Sequence, residues 1–295
     1  MSYTRVNWQN APSTATPVNA ENLNIMDKGI ADAHSQLAET TKNIDNGIIN
    51  VKYPPIPLIG AKGDNITDDT VAIQNIANYA ATLGDYPTLL FPHSSGYLTT
   101  DTITIGNKIN VIMESPIMYD GTQDRPVLVV GDIDNYNTHS TLKLWAVHKK
   151  SPDWLNENFV GIRVNNAYAC DIEIVRAEKF TIGFEAYCIA GHGWTMNNVW
   201  LRQLVNNKVN LQINSITGGW PNGNSFFGGL LGRSGSVNPE IQSYHIRITG
   251  DGQYKGNNSN NFYSTRFEGN GPIIPVYIKY GNRNRFLDYR SEITT

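Results

Sequence analysis

NNFYSTRFE, residues 260–268, and NRFLDYRSE, residues 284–292, are two copies of one pattern. At an offset of 24 residues Asn260 falls on Asn284, Phe262 on Phe286, Arg266 on Arg290 and Glu268 on Glu292. NSFF at 224–227 repeats the Asn-x-Phe start, 36 residues before the copy at Asn260. A period near 24 with occasional longer turns is what a solenoid needs, because each coil must return the chain to the same place one strand spacing higher. Columns of stacked asparagine and aromatic side chains follow from such a repeat.

Outward from the repeat the chain alternates with period two. From Leu89 onward, pairs of aliphatic residues separated by one residue recur as Ile103/Ile105, Ile109/Val111, Leu142/Leu144, Ile162/Val164, Ile172/Ile174, Val199/Leu201, Leu211/Ile213, Ile246/Ile248 and Val276/Ile278. Each pair predicts a short strand with one buried face. No helical segment intervenes, which excludes a doubly wound sheet and leaves a sandwich or a parallel solenoid; the repeat selects the solenoid.

Of the 295 residues only 17% are charged, and polarity comes largely from Asn, Ser, Thr and Gly, a composition suited to stacked strands with tight turns. A formal charge of -3, a pI near 6.1 and the lack of any basic run argue against a nucleic-acid or anionic-lipid partner. Two cysteines, Cys170 and Cys188, are too few for a disulfide framework and are not spaced as a metal knuckle, so buried thiols are expected, with no metal and no cofactor. The start, MSYTRVNWQNAPS, lacks a signal-peptide pattern, and no stretch approaches the ~18 consecutive apolar residues of a membrane span.

Residues 1–19, with Pro12, Pro17 and a lone Trp8, are expected to be an irregular arm. A helix should follow, started by Asn19 and Glu21. Leu23, Ile30, Leu37 and Ile44 recur every seven residues, with Met26, Ala33 and Thr40 between them, which predicts a short self-associating coiled coil; an amphipathic helix packed on its own domain is the alternative. Tyr53-Pro54-Pro55-Ile56-Pro57 stops any helix. Two units are expected: an arm and helix over 1–50, and the β-solenoid over 51–295.

GAKGDNITDDTVAIQ, residues 60–74, opens the second unit. It is not a phosphate loop, since Lys62 precedes Gly63 and no Ser or Thr stands at the metal position. Nor is it a calcium loop, because Asp64, Asp68 and Asp69 are wrongly spaced. What remains is a glycine-assisted turn delivering a helix, capped by Asp68 or Asp69, whose Ile73, Ile76, Ala77 and Ala80 share one face and which ends near Gly84. Such a helix covers the open end of a solenoid.

Gly60-Ala61-Lys62-Gly63-Asp64, then Thr67-Asp68-Asp69-Thr70 and Ala72-Ile73, a strand ending in Phe91-Pro92, and Gly96-Tyr97 resemble the N-terminal signature of pectate-lyase-like right-handed β-helix proteins. With the coils behind it the resemblance covers about residues 58–295, and it implies an all-β parallel β-helix whose motif over 58–84 caps the stack without being catalytic. Thr4-Arg5-Val6-Asn7-Trp8, Pro12-Ser13, Thr16-Pro17 and Asn19-Ala20-Glu21-Asn22-Leu23-Asn24 resemble the N-terminal segment of tail, baseplate and receptor-binding proteins of phages of Gram-positive bacteria. Together the two resemblances imply a phage tail spike or appendage protein located in the virion. Its arm, with Arg5 and Trp8, would attach to other tail or baseplate proteins; the chain would be a homotrimer; and the β-helix would touch host cell-wall polysaccharide or teichoic acid.

Glycan cleavage would call for two carboxylates, ~5.5 Å apart for retention or ~6.5 to 9.5 Å for inversion. Asp171 and Glu173 are the candidate pair, outward on a strand whose Ile172 and Ile174 point in; two solvated charges are the plainer account. Arg266/Glu268 and Arg290/Glu292 repeat, which favours a ladder of ion pairs over a unique catalytic residue. Gly191-His192-Gly193 and Arg247-Ile248-Thr249 resemble polygalacturonase motifs, but that family's acidic motifs are missing upstream, so His192 is expected as a turn histidine. For glycan binding the candidate rings are Trp220, in Gly218-Gly219-Trp220-Pro221-Asn222-Gly223, with Trp194, Trp200, Tyr263 and Tyr289. The expected function is a structural adhesin; a glycan- or teichoic-acid-degrading enzyme and a passive assembly module are the alternatives.

Overall fold

The computed structural model describes residues 20–45, 47–84, 86–189, 191–235, 237–251 and 257–294. Two helices, α1 (Ala20–Asp45) and α2 (Thr70–Leu83), precede a long succession of short strands, and the described residues are mostly β. Every strand pairing among them is parallel. The strands fall into three sheets. Sheet A includes Thr141–His148, Asp171–Glu178, Asn198–Val205, Ser225–Phe227, Asn261–Tyr263 and Arg285–Leu287; sheet B includes Val160–Asn165, Ile182–Cys188, Val209–Ser215, Ser243–Gly250 and Ile273–Ile278; sheet C includes Ala167–Tyr168, Gly193–Thr195 and Trp220–Asn222. The chain passes from sheet A to B and, in the middle coils, to C before returning to A, and several coils place two successive strands in A, so the sheets hold 15, 7 and 4 strands of one parallel solenoid.

On sheet A, Asp171 pairs with Asn198, Asn198 with Ser225, Ser225 with Asn261 and Asn261 with Arg285, steps of 27, 27, 36 and 24 residues. The internal repeat is the strand register itself: Phe262 lies on Phe286, Arg266 on Arg290 and Glu268 on Glu292, and Phe226 of the earlier copy lies on Phe262. The phenylalanines stack inside with centroids 4.7 and 4.6 Å apart, continuing below through Trp194 at 6.0 Å. Beside them Asn197, Asn224, Asn260 and Asn284 form a ladder in which each amide donates to the Oδ1 of the next, at 3.0, 2.8 and 3.0 Å. Each of those oxygens also accepts the backbone N–H of the coil below, at 3.0, 3.4 and 3.1 Å. An unpaired polar group in such a core would cost ~1–3 kcal/mol, so a column of identical amides is a low-energy way to close every tight turn there.

The aliphatic pairs fill the core: Ile103 through Ile248 of that series are all at most 2% exposed. Val276 and Ile278 depart from it, half-buried and 41% exposed, because no further strand of the described residues stacks on Ile273–Ile278. Cys170 and Cys188 are buried free thiols.

At the other end α2 buries Ile73, Ile76, Ala77 and Ala80. Its Gln74 donates to the Thr104 carbonyl (2.9 Å) and accepts the Thr104 N–H (2.8 Å), satisfying the open edge of the first sheet B strand, Ile103–Ile105. The three aspartates of the turn divide the local work. Asp69 is the N-cap residue without a side-chain cap bond; Asp68, just before it, accepts the Thr70 N–H at 2.9 Å, while Asp64 accepts the Ile66 and Thr67 N–H groups. Asp69 turns back to the Lys62 and Gly63 N–H groups at 2.6 and 2.9 Å, and burial nevertheless raises its pKa.

The coil stack begins before the proline segment, since Ile48–Asn50 pairs with Thr88–Phe91. Within α1, Leu23 is half-buried, Met26, Ile30 and Leu37 are 62%, 46% and 54% exposed, and the side chain of Ile44 lies outside the described residues, as do Arg5 and Trp8. Met26 and Ile30 therefore face solvent in the single chain, while Leu37 borders a groove with Tyr53, Pro55 and Leu58. No coiled coil is formed within the single chain.

Candidate functional site

Sheet C carries an outward aromatic patch drawn from several coils. On Gly193–Thr195, Trp194 points inward, so the position of Gly193 faces out, and the indole of Trp220 on the next strand lies across it. A Cβ at Gly193 would come within 2.5 Å of the Trp220 Nε1. Absence of a side chain there is what lets Trp220 lie down. The Gly193 N–H donates to the Tyr136 hydroxyl at 2.9 Å, which brings a ring from 57 residues earlier into the same patch. His192 meets Tyr136 edge to face at 5.0 Å, Tyr136 meets Tyr168 at 6.2 Å, and Tyr168 meets His139 at 5.9 Å. A groove of about 480 Å³ continues the patch past Tyr136, between Asn107 and Lys108 on one side and Asn135 and Thr138 on the other. Edge-to-face packing leaves ring faces free for a pyranose, and amides and a lysine flank them.

The remaining predicted rings lie elsewhere. Trp194 is fully buried between Phe184 and Phe226, with its indole N–H donated to the Val164 carbonyl at 3.1 Å; its expected role in glycan binding is corrected to core packing. Trp200 and Tyr263 sit on the outer face of sheet A in a column with Phe227, centroids 5.7 and 5.2 Å apart and planes nearly parallel. Their facing surfaces are spent on one another, so the column offers outward mainly ring edges. Tyr289, 59% exposed, borders an apolar hollow of about 350 Å³ with Phe267, Val276 and Phe286 at the last described coil.

Asp171 and Glu173 both point outward on Asp171–Glu178, as Ile172 and Ile174 are buried. Asp171 accepts from the Asn198 amide at 3.1 Å and Glu173 from the Arg202 guanidinium at 2.7 Å, each partner lying one coil on. Arg266 pairs with both Glu268 and Glu292, and Arg290 with Glu292, as the ion-pair ladder requires. Arg247 does not approach His192's patch. Lying on the outer face of sheet B, it holds Glu157 through both oxygens at 3.1 and 2.7 Å, with Lys208 adding 3.1 Å. Burial opposes ionisation of Glu157, yet these cations prevail and draw its carboxyl down to about 2. Beside it Glu185, 1% exposed, accepts from Arg163, Gln212 and Asn214. This network ties the 149–159 loop across four successive strands of sheet B.

Sequence reasoning missed Tyr136, His139 and Tyr168. Tyr136 and His139 flank one short strand, Asn137–Thr138, while Tyr168 and His192 come from the two coils after it, and only the stacking of coils brings the three levels together. Among the described residues no group of three or more His, Cys, Asp or Glu is placed to hold a metal ion, and no helix is long and apolar enough to cross a membrane.

No family model matches the sequence, and no curated protein matches it. Solved structures similar to the chain include one titled "Geobacillus virus E2 - ORF18", at 15% identity and a TM-score of 0.44 over 90% of this chain. This chain covers 64% of that one, less than two thirds of its length. Another is the Streptococcus pneumoniae surface protein and adhesin PfbA, at 11% identity and a TM-score of 0.20, covering 80% of this chain and 97% of that one.

Proposed function

We propose that this chain is a structural subunit of a phage tail spike or appendage that presents its β-solenoid to a host cell-wall polysaccharide or teichoic acid. The observation that carries the reading is the patch of Trp220, His192, Tyr136 and Tyr168 on sheet C, where rings with open faces adjoin a polar groove. A rigid solenoid holds such rings without the loss of side-chain and loop entropy that a flexible loop would incur on binding. In this reading the segment through α1 is the attachment arm and helix, the stack from Ile48 onward is the right-handed β-helix, and the heptad stripe of α1, with Met26 and Ile30 exposed, joins copies into a homotrimer. Support for virion attachment comes from the resemblance of residues 4–24 to phage tail and baseplate proteins.

The test is sedimentation of the purified protein with cell walls from a panel of Gram-positive hosts, with light scattering for its oligomeric state and an assay for soluble sugar and phosphoglycerol. Co-sedimentation that Trp220→Ala weakens about tenfold, the equivalent of ~1.4 kcal/mol, with no soluble release, is the expected result. Release of fragments would make the chain an enzyme, with Asp171 and Glu173 the first residues to substitute. Absence of binding on every wall would leave a passive assembly module.

A further inference from the structure

The outer face of sheet A holds a groove of about 410 Å³ that the aromatic surface does not include. Its floor is Val205, Leu230 and Gly232; Arg176 and Gln203 stand on one side and Glu268 on the other. The strand register explains how the notch arises. One column of outward positions runs Glu178, Val205, Gly232, Glu268, Glu292, so the coil at Gly232 has no side chain where the next coil has a long one. Backbone geometry does not demand glycine at this position. Gly228 and Gly229 have φ of +67° and +102°, but Gly232 lies outside the left-handed region, and a Cβ there would meet Val205 Cγ1 at 3.4 Å and Leu230 Cδ1 at 3.8 Å, ordinary contact distances. What glycine does at 232 is keep the groove open.

The walls are polar. Arg176 pairs with Glu178 at 2.7 Å and Arg266 pairs with Glu268, and Arg233, also in the lining but 4% exposed, gives its guanidinium to the Val237, Asn238 and Ile241 carbonyls and the Ser243 hydroxyl, so no exposed charge in the groove is left without a partner. The Nε of Arg176 is buried and makes no hydrogen bond, a donor aimed at no protein acceptor. An apolar floor beneath hydrogen-bonding walls, with a volume inside the ~300–1,000 Å³ range of ligand sites, suits a ring that is apolar on its faces and hydroxylated at its edge. We infer that this groove is a second saccharide site, taking one or two uncharged sugar units of the polymer, with the ring on Val205 and Leu230 and its hydroxyls on Arg176, Gln203 and Glu268. The inference rests on the glycan-binding reading above and adds a site separate from sheet C.

The experiment is methyl NMR on protein labelled at Val and Leu, titrated with neutral tetrasaccharides of glucose, galactose and N-acetylglucosamine, alongside wall sedimentation of the same samples. Shifts at the Val205 and Leu230 methyls are expected with at least one probe, weakened about tenfold or more in Gly232→Leu and Glu268→Gln and retained in Trp220→Ala. If Gly232→Leu does not fold, Gly232→Ala and Glu268→Gln carry the comparison. Binding without movement of those methyls, or binding lost only in Trp220→Ala, overturns the groove and leaves the sheet C reading intact. No shift with any probe also overturns the groove, and wall sedimentation of the unsubstituted protein then decides separately whether the broader reading survives.

Discussion

Acidification should loosen this solenoid well before its carboxylates protonate. His148 is fully buried among Tyr119, Phe159 and Phe180, and His245 is 1% exposed, stacked on Phe267 with its Nδ1 against the Asn210 amide at 2.8 Å. Burial pushes both imidazoles down to about 4, and the backbone of Lys179 and of Glu268 offsets it only in part. In the unfolded chain each titrates near ~6.5. A base whose folded pKa is depressed contributes stability that is complete above the unfolded value and is lost as pH falls from about 6.5 towards 4, below which nothing more is lost. At pH 5 the loss is ~2 kcal/mol for each histidine and ~4 kcal/mol for the two, from 1.4 kcal/mol per pH unit. Glu157 acts in a lower window, its stabilising contribution fading from about 4.5 towards 2. Urea midpoints between pH 7.5 and 4.5 would measure the sum. Hydrogen exchange in Thr141–His148 and Ser243–Gly250 would localise it, since a stack of coils loses stability locally. His148→Phe should remove about half of the slope, its ring entering a site already lined with aromatics. A midpoint that stays flat from pH 7 to 5, or an unchanged slope in His148→Phe, would refute the reasoning.

Asn224→Ala should destabilise by ~3 kcal/mol, because it orphans the Asn197 N–H and the Trp194 carbonyl within the core; denaturant titration should show a clearly smaller loss for Asn284→Ala at the more open rung. Gly193→Ala should change fold stability by less than ~1 kcal/mol yet lift the Trp220 indole, seen as altered near-ultraviolet dichroism together with weaker wall binding. Cys170, whose thiol burial raises to about 11, and Cys188, raised further by burial, should not react with a thiol reagent at pH 8 until the chain is unfolded, when two thiols should titrate.

The inside of the fold was legible because the stack repeats residue types. Asn260 over Asn284 and Phe262 over Phe286 are the same event in sequence and in space, and the aliphatic pairs mark buried faces without any knowledge of topology. Trp194 shows the limit. Placed next to Gly193 it has the surroundings of an exposed ring, but strand alternation turns it in and turns the glycine out. The sheet C patch was illegible for a different reason: its strands are 30, 27 and 27 residues apart and its members sit at different places along and beside them, so Tyr136 and His192 become neighbours only after the winding is known.

Those outward columns separate stacking from use. Like charges directly above one another repel, so a repeated Arg266/Arg290 row survives only beside a repeated Glu268/Glu292 row that it can cross-pair. Continued downward, that rule would place a carboxylate at 232 and a cation at 230, and the chain has glycine and leucine instead. Neither is required by the backbone, and an aliphatic side chain half-exposed on an outer face gains little from burial. The solenoid therefore gives up an ion pair at the rung where its surface opens. That rung, rather than the better-paired Asp171 and Glu173, is where a substitution should separate recognition from folding.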